Sequence, residues 1–317
     1  MISIIIINYN TFELSCTCIA SIYTHTKGIE YEIILVDNAS KECNPDAFLE
    51  KYPEITLIKS SQNLGFAGGN NLGLEVAKGE YILLLNSDTE LTENSIKICL
   101  DKFQNNTQNN TQNNNNLGVI SCGLVYPNNA IQHCTGKFPT ISIELVELFR
   151  MQKFVSKTQK ENLLLGAFFD HKSEKIVDWV WGTFFLTKRE IINKLPHKKL
   201  PDDFFMYFED VQWCYKIRKL GYEILYTPQT KIIHHLSASS TQEFSSADVL
   251  VKFKKILPNE TAFLLKEKGK FYTYLLYFFR MVKFFTLKGQ NFRLIAKFYF
   301  KFLRNNLKIK FPNKISK

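Results

Sequence analysis

The sequence predicts an α/β fold in which a mostly parallel central sheet carries helices on both faces. Three short runs, at 2–8, 31–36 and 81–85, are apolar over most of their length and do not alternate with polar residues. Strands of this kind are buried on both faces, as in parallel sheets. Helical patterns follow the first and precede the third, at 13–25 and 65–78, and this alternation is typical of a parallel α/β sheet.

The helix at 13–25 has an apolar face formed by Leu14, Cys18 and Ile22, and the segment 65–78 is expected to be a Gly-rich loop that runs into a helix ending at Gly79. Another helix is predicted at 209–220, and Gly221 stands where a glycine can end it. The remaining predicted strands are short or interrupted: 55–59, 117–126, 223–227 and 231–235. The segment 138–173 has little pattern.

A change of composition near Ser240 divides the chain into an α/β domain at 1–240 and a basic, aromatic, helical C-terminal extension at 241–317. Within the first part, 104–116 is almost entirely Asn, Gln and Thr. Such a segment cannot bury enough apolar surface to order itself, so we expect a flexible loop there.

The seven cysteines are dispersed and form no Cys-x-x-Cys pair, which favours a reducing compartment. The first residues lack the basic region and the long apolar region of a signal peptide. No window reaches the roughly 18 apolar residues of a membrane-spanning helix. We therefore expect a cytoplasmic protein.

The positive charge is concentrated in the C-terminal extension. Residues 266–317 hold 14 Lys and Arg, one acidic residue and 14 Phe and Tyr, whereas 1–265 carry a net charge of −3. Basic and aromatic residues together suit anionic lipid at the inner face of the cytoplasmic membrane. A nucleic-acid-binding tail and a solvated tail are the alternatives; we expect lipid and no nucleic acid. The extension could also pair two copies of the chain.

Polar residues follow apolar runs or open a helix at four places in the first half: 8–10, 37–40, 63–71 and 86–88. Open α/β sheets bind ligands at the carboxyl ends of their strands. Asp88, directly after the run 81–85, is placed to hold a hard divalent cation together with a diphosphate. An ordinary turn explains this triplet alone equally well, but four such sites at one sheet edge are harder to obtain by chance.

Six segments carry a resemblance to a known family: SIIIINYN (3–10), VDNAS (36–40), NLGFAGGNNLGLEVAKGEYILLLNSD (63–88), WVWGTFFLTKRE (179–190), FFMYFEDVQWCYKIRKLGY (204–222) and TPQTKIIHHLSASS (227–240). Over about 1–240 the chain resembles glycosyltransferase family 2, inverting enzymes with a GT-A fold. More narrowly, it resembles the rhamnosyltransferase-like branch that builds bacterial surface polysaccharides. The resemblance implies a nucleotide-sugar donor, Mg²⁺ or Mn²⁺, and a hydroxyl acceptor on a glycan that is lipid-linked.

The resemblance implies donor-binding roles for Tyr9, Asp37, Asn63, Gly68, Asn70 and Ser87. Tyr9 would lie against the nucleobase, although it could instead be a half-buried core residue. Asp37 would accept a hydrogen bond from the base, and an N-cap or an Asx-turn is its alternative. Asn70 stands where many relatives carry Arg.

The metal ligands that the resemblance implies are Asp88, Asn86 and His234. Asn86 replaces the first carboxylate of an Asp-x-Asp motif, so the site has one negative charge less. His234 matches a late family histidine, and the adjacent His235 leaves the assignment open by one residue.

Asp210 matches the family's catalytic base, and a helix N-terminus stabilises its ionised form. Glu209 is the neighbour that would contact the acceptor or share this role; helix capping is the structural alternative. Trp181 and Gly182 would line the acceptor or sugar pocket, although a Trp in an apolar run is often a core residue.

Two other functions compete with glycosyl transfer. A non-catalytic nucleotide-sugar-binding or membrane scaffold would explain the lost carboxylate at Asn86 but not the retention of Asp88, Asp210 and His234. A sugar nucleotidyltransferase would need a Gly-rich, basic loop after the first strand, and residues 10–13 are not of that kind.

Overall fold

The computed structural model of the protein describes residues 1–108, 116–236, 246–287 and 290–304. It contains two compact units, of which the first comprises Met1–Phe138 and Leu165–Thr241 and the second Pro139–Leu164 and Gln242–Lys317. The division expected at residue 240 differs from the division in the structure in one respect. Residues 139–164 belong to the same unit as the C-terminal helices.

The strands are β1 Ile2–Asn8, β2 Tyr31–Asp37, β3 Thr56–Lys59, β4 Tyr81–Asn86, β5 Thr89–Leu91, β6 Leu117–Val125, β7 Thr135–Gly136, β8 Lys175–Val177, β9 Trp179–Val180, β10 Phe184–Lys188 and β11 Glu223–His234. The α-helices are α1 Phe12–His25, α2 Ala47–Lys51, α3 Gly65–Val76, α4 Ser95–Gln108, α5 Ile141–Leu148, α6 Lys157–Leu164, α7 Arg189–Asn193, α8 Glu209–Lys219, α9 Ser246–Glu267, α10 Lys270–Thr286 and α11 Gln290–Arg304.

The first unit is built on one large sheet with the strand order β3-β2-β1-β4-β10-β6-β11-β5, and β8 pairs with β11. Strands β3, β2, β1 and β4 are parallel to one another, as are β6 and β11. Strand β10 runs antiparallel between these two sets. The predicted α/β class with its central sheet is confirmed.

The register of this sheet brings the polar strand ends together. Asn8 is paired with Asp37 across β1 and β2, and Ile7 is paired with Asn86 across β1 and β4. The apolar residues of these strands are buried, so the first polar side chains after the core come at the same edge. This edge is where the candidate site lies.

Three local expectations differ from the structure. Residues 104–108 of the expected loop are the last residues of α4, and 109–115 lie outside the described residues. The weakly patterned segment 138–173 contains α5 and α6. The two strands expected around Pro228 are one strand, β11, whose pairing with β6 shifts register between Thr227 and Lys231. Proline cannot donate a ladder hydrogen bond, and the irregularity accommodates it.

A buried ion cluster explains why 139–164 belongs to the second unit. Arg280 of α10 donates to Glu144 of α5 at 2.6 Å and to Glu260 of α9 at 2.7 Å. Lys283 also pairs with Glu144. Burial acts to raise the pKa of Glu144, but Arg280 and Lys283 outweigh it and hold that pKa below its ordinary value. The segment is thus held by charges that its own sequence pattern does not reveal.

Candidate active site

A hydrogen-bonded network closes the ends of β1 and β2. Asn8 Nδ2 donates to Asp37 Oδ1 at 2.8 Å, and Asn8 Oδ1 accepts from Ser15 Oγ at 2.9 Å. The other carboxylate oxygen of Asp37 accepts from the backbone N–H of Ser40 at 3.1 Å. Asp37 is buried, and the contacts seen here are those of the turn alternative. Base binding by Asp37 stays a prediction.

Tyr9, directly after β1, presents its side chain to solvent and is 43% exposed. Tyr9 is therefore not a core residue in the structure. An exposed aromatic ring at the carboxyl end of a strand is available for stacking on a flat ligand.

The Gly-rich segment is helical almost from its start, which corrects the expectation of a loop. Asn63 Oδ1 accepts from the N–H of Gly65 and from Asn38 Nδ2, both at 2.9 Å. Gly65 has φ +73°, and a Cβ there would lie 2.1 Å from the carbonyl oxygen of Phe205. Only glycine fits this position.

Gly68 and Asn70, both on α3, have packing reasons of their own. A Cβ on Gly68 would lie 2.8 Å from Cβ of Leu64. Asn70 is buried and donates to the carbonyl of Phe66 at 2.9 Å, while no residue within the described ranges donates to its Oδ1. These packing contacts do not test the prediction that Gly68 and Asn70 bind the donor.

Asp88 and His234 meet at the turn between β4 and β5. His234 Nε2 lies 3.3 Å from Asp88 Oδ1, and the N–H of His235 donates to the carbonyl of Asp88 at 2.8 Å. The side chain of His235 instead approaches Glu90, with its Nε2 3.3 Å from the carboxylate. Of the two adjacent histidines, His234 is the one that faces Asp88.

Gln132 holds His234 at two points. Its Nε2 donates to the backbone carbonyl of His234 and its Oε1 lies against His234 Nδ1, both at 2.8 Å. A carbonyl only accepts, so the amide orientation is fixed and Nδ1 must carry the proton. In neutral His234, Nε2 then presents a lone pair toward Asp88. Asp88 Oδ1 and His234 Nε2 are then two acceptors close enough to bind one cation together. A histidine with a free lone pair on one ring nitrogen is the form that binds metals.

Asn86, the last residue of β4, offers a further oxygen. Its Nδ2 approaches Thr183 Oγ1 at 3.4 Å, whereas its buried Oδ1 accepts no hydrogen bond from the part of the chain that the structure describes. The neighbouring Ser87 contacts Thr11, with 3.1 Å between the hydroxyl oxygens. Asn86, Asp88 and His234 provide two oxygens and one nitrogen, which fits Mg²⁺ or Mn²⁺ provided that a ligand supplies the remaining oxygens.

The acid pair Glu209 and Asp210 begins α8. Glu209 is 6% exposed, and among the described residues none forms a hydrogen bond with its buried Oε2. Burial, followed by the charge of Asp210, raises the pKa of Glu209 to about 8. Asp210 is only half-buried and accepts a hydrogen bond from the N–H of Val211 at 2.8 Å. Near neutral pH Glu209 is therefore protonated.

The three residues between β9 and β10 connect these groups. The ring of Trp181 lies edge-on to His234 with 6.2 Å between centroids. The N–H of Gly182 points to Asp210 Oδ2 at 3.4 Å, and Thr183 contacts Asn86. Asp88 keeps 16% of its side chain exposed. Residues 181–183 thus contact Asp210 directly and Asp88 through its partner His234, and neither aspartate is sealed from solvent.

Gly182 is constrained by the aromatic residues beneath it. A Cβ there would lie 2.7 Å from Cε1 of Phe66, whose ring stacks on Trp213 with 5.7 Å between centroids. The position of the Gly182 N–H near Asp210 therefore depends on a glycine.

Residues 3–114 match the family model described as glycosyl transferase family 2. This part of the chain is therefore similar to glycosyltransferase family 2. The hexosyltransferase Agl10 of low-salt glycan biosynthesis in Haloferax volcanii is 25% identical over 264 residues, which are 80% of this chain and 73% of the relative. The N-acetylglucosaminyl-diphospho-decaprenol L-rhamnosyltransferase of Mycobacterium tuberculosis is 20% identical over 230 residues, covering 68% of this chain and 69% of the relative.

Two solved structures share the GT-A fold. The mannosyltransferase PcManGT from Pyrobaculum calidifontis, in complex with GDP-Man and Mn²⁺, has a TM-score of 0.54 and 16% identity, with 96% of this chain and 83% of that chain covered. TarS 1-349 of S. aureus has a TM-score of 0.53 and 13% identity, with 96% and 79% covered.

Two residues that shape the candidate site, Gln132 and Asn38, are not among those predicted from the sequence. Gln132 lies just after β6 in a segment without a strong pattern, and nothing in the sequence links it to His234, which is 102 residues away. Asn38 holds the start of α3, since its side chain contacts Asn63 and the backbone at Leu64 and Gly65. For Asn38 a signal was present, because it lies inside the quoted segment VDNAS.

Proposed function

We propose that the protein is an inverting, metal-dependent glycosyltransferase that moves a sugar from a nucleotide-sugar donor to a hydroxyl of a lipid-linked glycan in surface polysaccharide synthesis. The observation that carries this proposal is that adjacent residues contact both groups: Trp181 lies against His234, the partner of Asp88, and the N–H of Gly182 points to Asp210. The reaction requires a group that holds the metal and a base. In this proposal both are linked to the same short segment of the chain.

Mg²⁺ or Mn²⁺ would be held by Asp88 and His234, with Asn86 Oδ1 and the donor diphosphate completing the ligands. When bound, the cation neutralises charge on the departing nucleoside diphosphate. Three features of the chain support this assignment: the His234 tautomer set by Gln132, the unpartnered oxygen of Asn86 and the exposure of Asp88. The mannosyltransferase of similar fold has Mn²⁺ in its complex.

Asp210 would act as the base. The acceptor hydroxyl gives its proton to Asp210 while its oxygen bonds to C1 of the sugar, and the bond from C1 to the diphosphate oxygen breaks on the opposite face. Glu209, held neutral by burial, would donate a hydrogen bond or position the acceptor without competing for the proton. Trp181 is half-buried and presents an aromatic surface beside His234, which suits a sugar ring.

The donor would occupy the carboxyl edge of β1, β2 and β4. Tyr9 supplies an exposed ring for the base, and Asp37, Ser87 and Asn63 lie at the ends of the same strands or at the start of α3. Gly68 and Asn70 lie further along α3, and we keep them as donor-binding candidates on the resemblance alone.

A lipid-linked acceptor is supported by the name of the mycobacterial relative, an N-acetylglucosaminyl-diphospho-decaprenol L-rhamnosyltransferase. The basic C-terminal helices suit the inner face of the cytoplasmic membrane. Pairing of two copies is the alternative use of these helices.

The direct test is a thermal-shift screen of the full chain against UDP-, GDP- and dTDP-sugars, with and without Mn²⁺. We expect one nucleotide sugar to raise the melting temperature of the first unit only when Mn²⁺ is present. The protein should hydrolyse this donor slowly in water and transfer its sugar rapidly when an acceptor is added. Asp88→Ala should remove the effect of Mn²⁺, whereas Asp46→Ala, a surface aspartate paired with Lys59, should keep it. Binding without any turnover would favour the scaffold alternative instead.

A further inference from the structure

The turn between α5 and α6 carries three large apolar side chains into solvent. Phe149, Met151 and Phe154 are 65%, 50% and 88% exposed, and they lie within six consecutive residues. Single exposed apolar residues are ordinary on a protein surface, but a cluster of this size on one turn indicates a binding surface. Residues 149–154 are called the apolar turn below.

The backbone of the apolar turn decides which way its side chains point. Met151–Lys153 form a 3₁₀ turn, and the N–H of Phe154 donates to the carbonyl of Met151 at 2.9 Å. With three residues per turn, side chains three positions apart lie above one another, so Met151 and Phe154 share one side. Gln152 faces inward, since its Oε1 is buried. The apolar pair and Lys153 therefore both lie on the outer side of the turn.

Both ends of the apolar turn are held by the fold. At its start, Glu147 of α5 pairs with Lys283 of α10 at 2.6 Å. At its end, Ser156 and Gln159 form a capping box at the beginning of α6. The N–H of Ser156 donates to Gln159 Oε1 at 2.9 Å, and the N–H of Gln159 donates to Ser156 Oγ at 3.3 Å. The exposure of the apolar turn is therefore a property of the folded second unit.

The charge around the apolar turn is positive. Residues 148–160 contain Arg150, Lys153, Lys157 and Lys160 and no acidic residue. Arg150 and Lys153, which lie inside the turn, are both exposed. Basic side chains beside exposed aromatic rings are typical of protein surfaces that lie on anionic lipid.

We propose that the apolar turn binds an anionic lipid bilayer. Phe149, Met151 and Phe154 enter the boundary between headgroups and acyl chains, while Arg150 and Lys153 meet lipid phosphates. This deepens the proposed function and rests on it, because the turn would keep the enzyme at the surface that holds a lipid-linked acceptor. Six residues are too few to cross a bilayer, so the contact is interfacial. Among the helices that the structure describes, none is long and apolar enough to span a membrane.

An anionic bilayer fits the apolar turn better than a second copy of the chain does. A symmetric contact between two apolar turns would bring their basic residues together, with no acidic residue of 148–160 to neutralise them. The bilayer supplies negative charge instead, and each basic residue near such a surface typically strengthens binding about fivefold.

The test is flotation of the full chain with phosphatidylcholine vesicles, with and without phosphatidylglycerol. We expect binding to the anionic vesicles that salt weakens. The double variant Phe149→Gln, Phe154→Gln should bind at least about tenfold more weakly. The double variant Arg150→Gln, Lys153→Gln should lose about tenfold of the preference for anionic over neutral vesicles.

Phe271→Gln is the matched control. Phe271 is 81% exposed and belongs to the same unit, but it lies at the other end of the paired helices α5 and α10. At that end Tyr272 Oη donates to the carbonyl of Pro139, just before α5, whereas Lys283 reaches Glu147 near the end of α5. The control variant should bind vesicles like the wild type.

Absence of wild-type binding to anionic vesicles, or equal binding by the double Phe variant, would overturn the proposal. So would an equal loss of binding in Phe271→Gln, because the apolar turn would then not be the point of contact. A dimer in sedimentation that the double Phe variant abolishes would also overturn it, since the turn would then join two copies.

Mn²⁺-dependent nucleotide-sugar binding, measured on the same samples, separates this proposal from the proposed function. It should be unchanged by all these substitutions. Its absence in the wild type would count against glycosyl transfer and leave the lipid result standing.

Discussion

The buried acid pair makes a quantitative prediction about pH and stability. Glu209 has a pKa of about 8 in the folded protein, against an ordinary value of 4.5. Between these values the folded protein keeps a proton that the unfolded chain releases. The free energy of unfolding should therefore fall as pH rises from about 4.5 to about 8. At about 1.4 kcal/mol for each tenfold change in proton affinity, the full penalty is roughly 3–5 kcal/mol.

Glu209→Gln keeps the shape of the side chain and removes its ionisation. The variant should match the wild type near pH 5 and become more stable than it by a few kcal/mol at pH 8–9. All three Trp residues, at 179, 181 and 213, lie in the first unit, so urea unfolding followed by Trp fluorescence reports on the part that contains Glu209.

Glu75→Gln, at an exposed position of α3, is the matched control and should show no such pH-dependent gain. A stability difference between Glu209→Gln and the wild type that stays constant from pH 5 to pH 9 would refute the argument. It would mean that Glu209 ionises freely in the folded protein, and that either carboxylate of the pair could serve as the base.

Three further predictions concern positions away from the acid pair. Gln132→Leu removes both contacts to His234 and should weaken Mn²⁺ binding in the presence of a nucleoside diphosphate by about 10–100-fold, measured by electron paramagnetic resonance; unchanged affinity would show that the contacts do not position the ligand. Gly182→Ala forces a methyl group toward Phe66 and should lower stability by about 1–3 kcal/mol in a thermal melt, so an unchanged melt would contradict the packing. Arg280→Leu removes the ion-pair partner of the buried Glu260 and one of the two partners of Glu144, and should cost about 3–5 kcal/mol by circular dichroism, whereas a stable variant would show that the cluster is dispensable.

The sheet could be predicted because its first strands are continuous apolar runs. A run of this length that is apolar on both faces must be buried on both, as a strand inside a parallel sheet is. The ends of β1, β2 and β4 follow directly from where these runs meet Asn8, Asp37 and Asn86. The course of β11 could not be predicted, because Pro228 normally interrupts a strand and only the register shift opposite β6 accommodates it.

The site was predictable to the extent that its residues stand at strand ends or helix starts. The choice between His234 and His235 was not, since adjacent residues of a strand face opposite sides and only the pairing with β5 decides which one meets Asp88. Gln132 was out of reach for another reason: its two hydrogen bonds to His234 are tertiary contacts without a local signal.

The association of α5 with the C-terminal helices also depends on tertiary contacts. Glu144 looks like an ordinary polar position of a short helix, yet it is buried against Arg280. A charged residue is rarely buried without a partner, and sequence alone does not name that partner.

The central claim is that one aspartate, Asp88, holds the metal and a second, Asp210, acts as the base. The most direct test measures Mn²⁺-dependent donor binding and sugar transfer for both Asp210→Asn and Asp88→Ala. We predict that Asp210→Asn binds donor within a few-fold of the wild type but transfers sugar about a hundred- to ten-thousandfold more slowly, while Asp88→Ala loses the metal-dependent binding itself. Transfer by Asp210→Asn at the wild-type rate would contradict this division of roles.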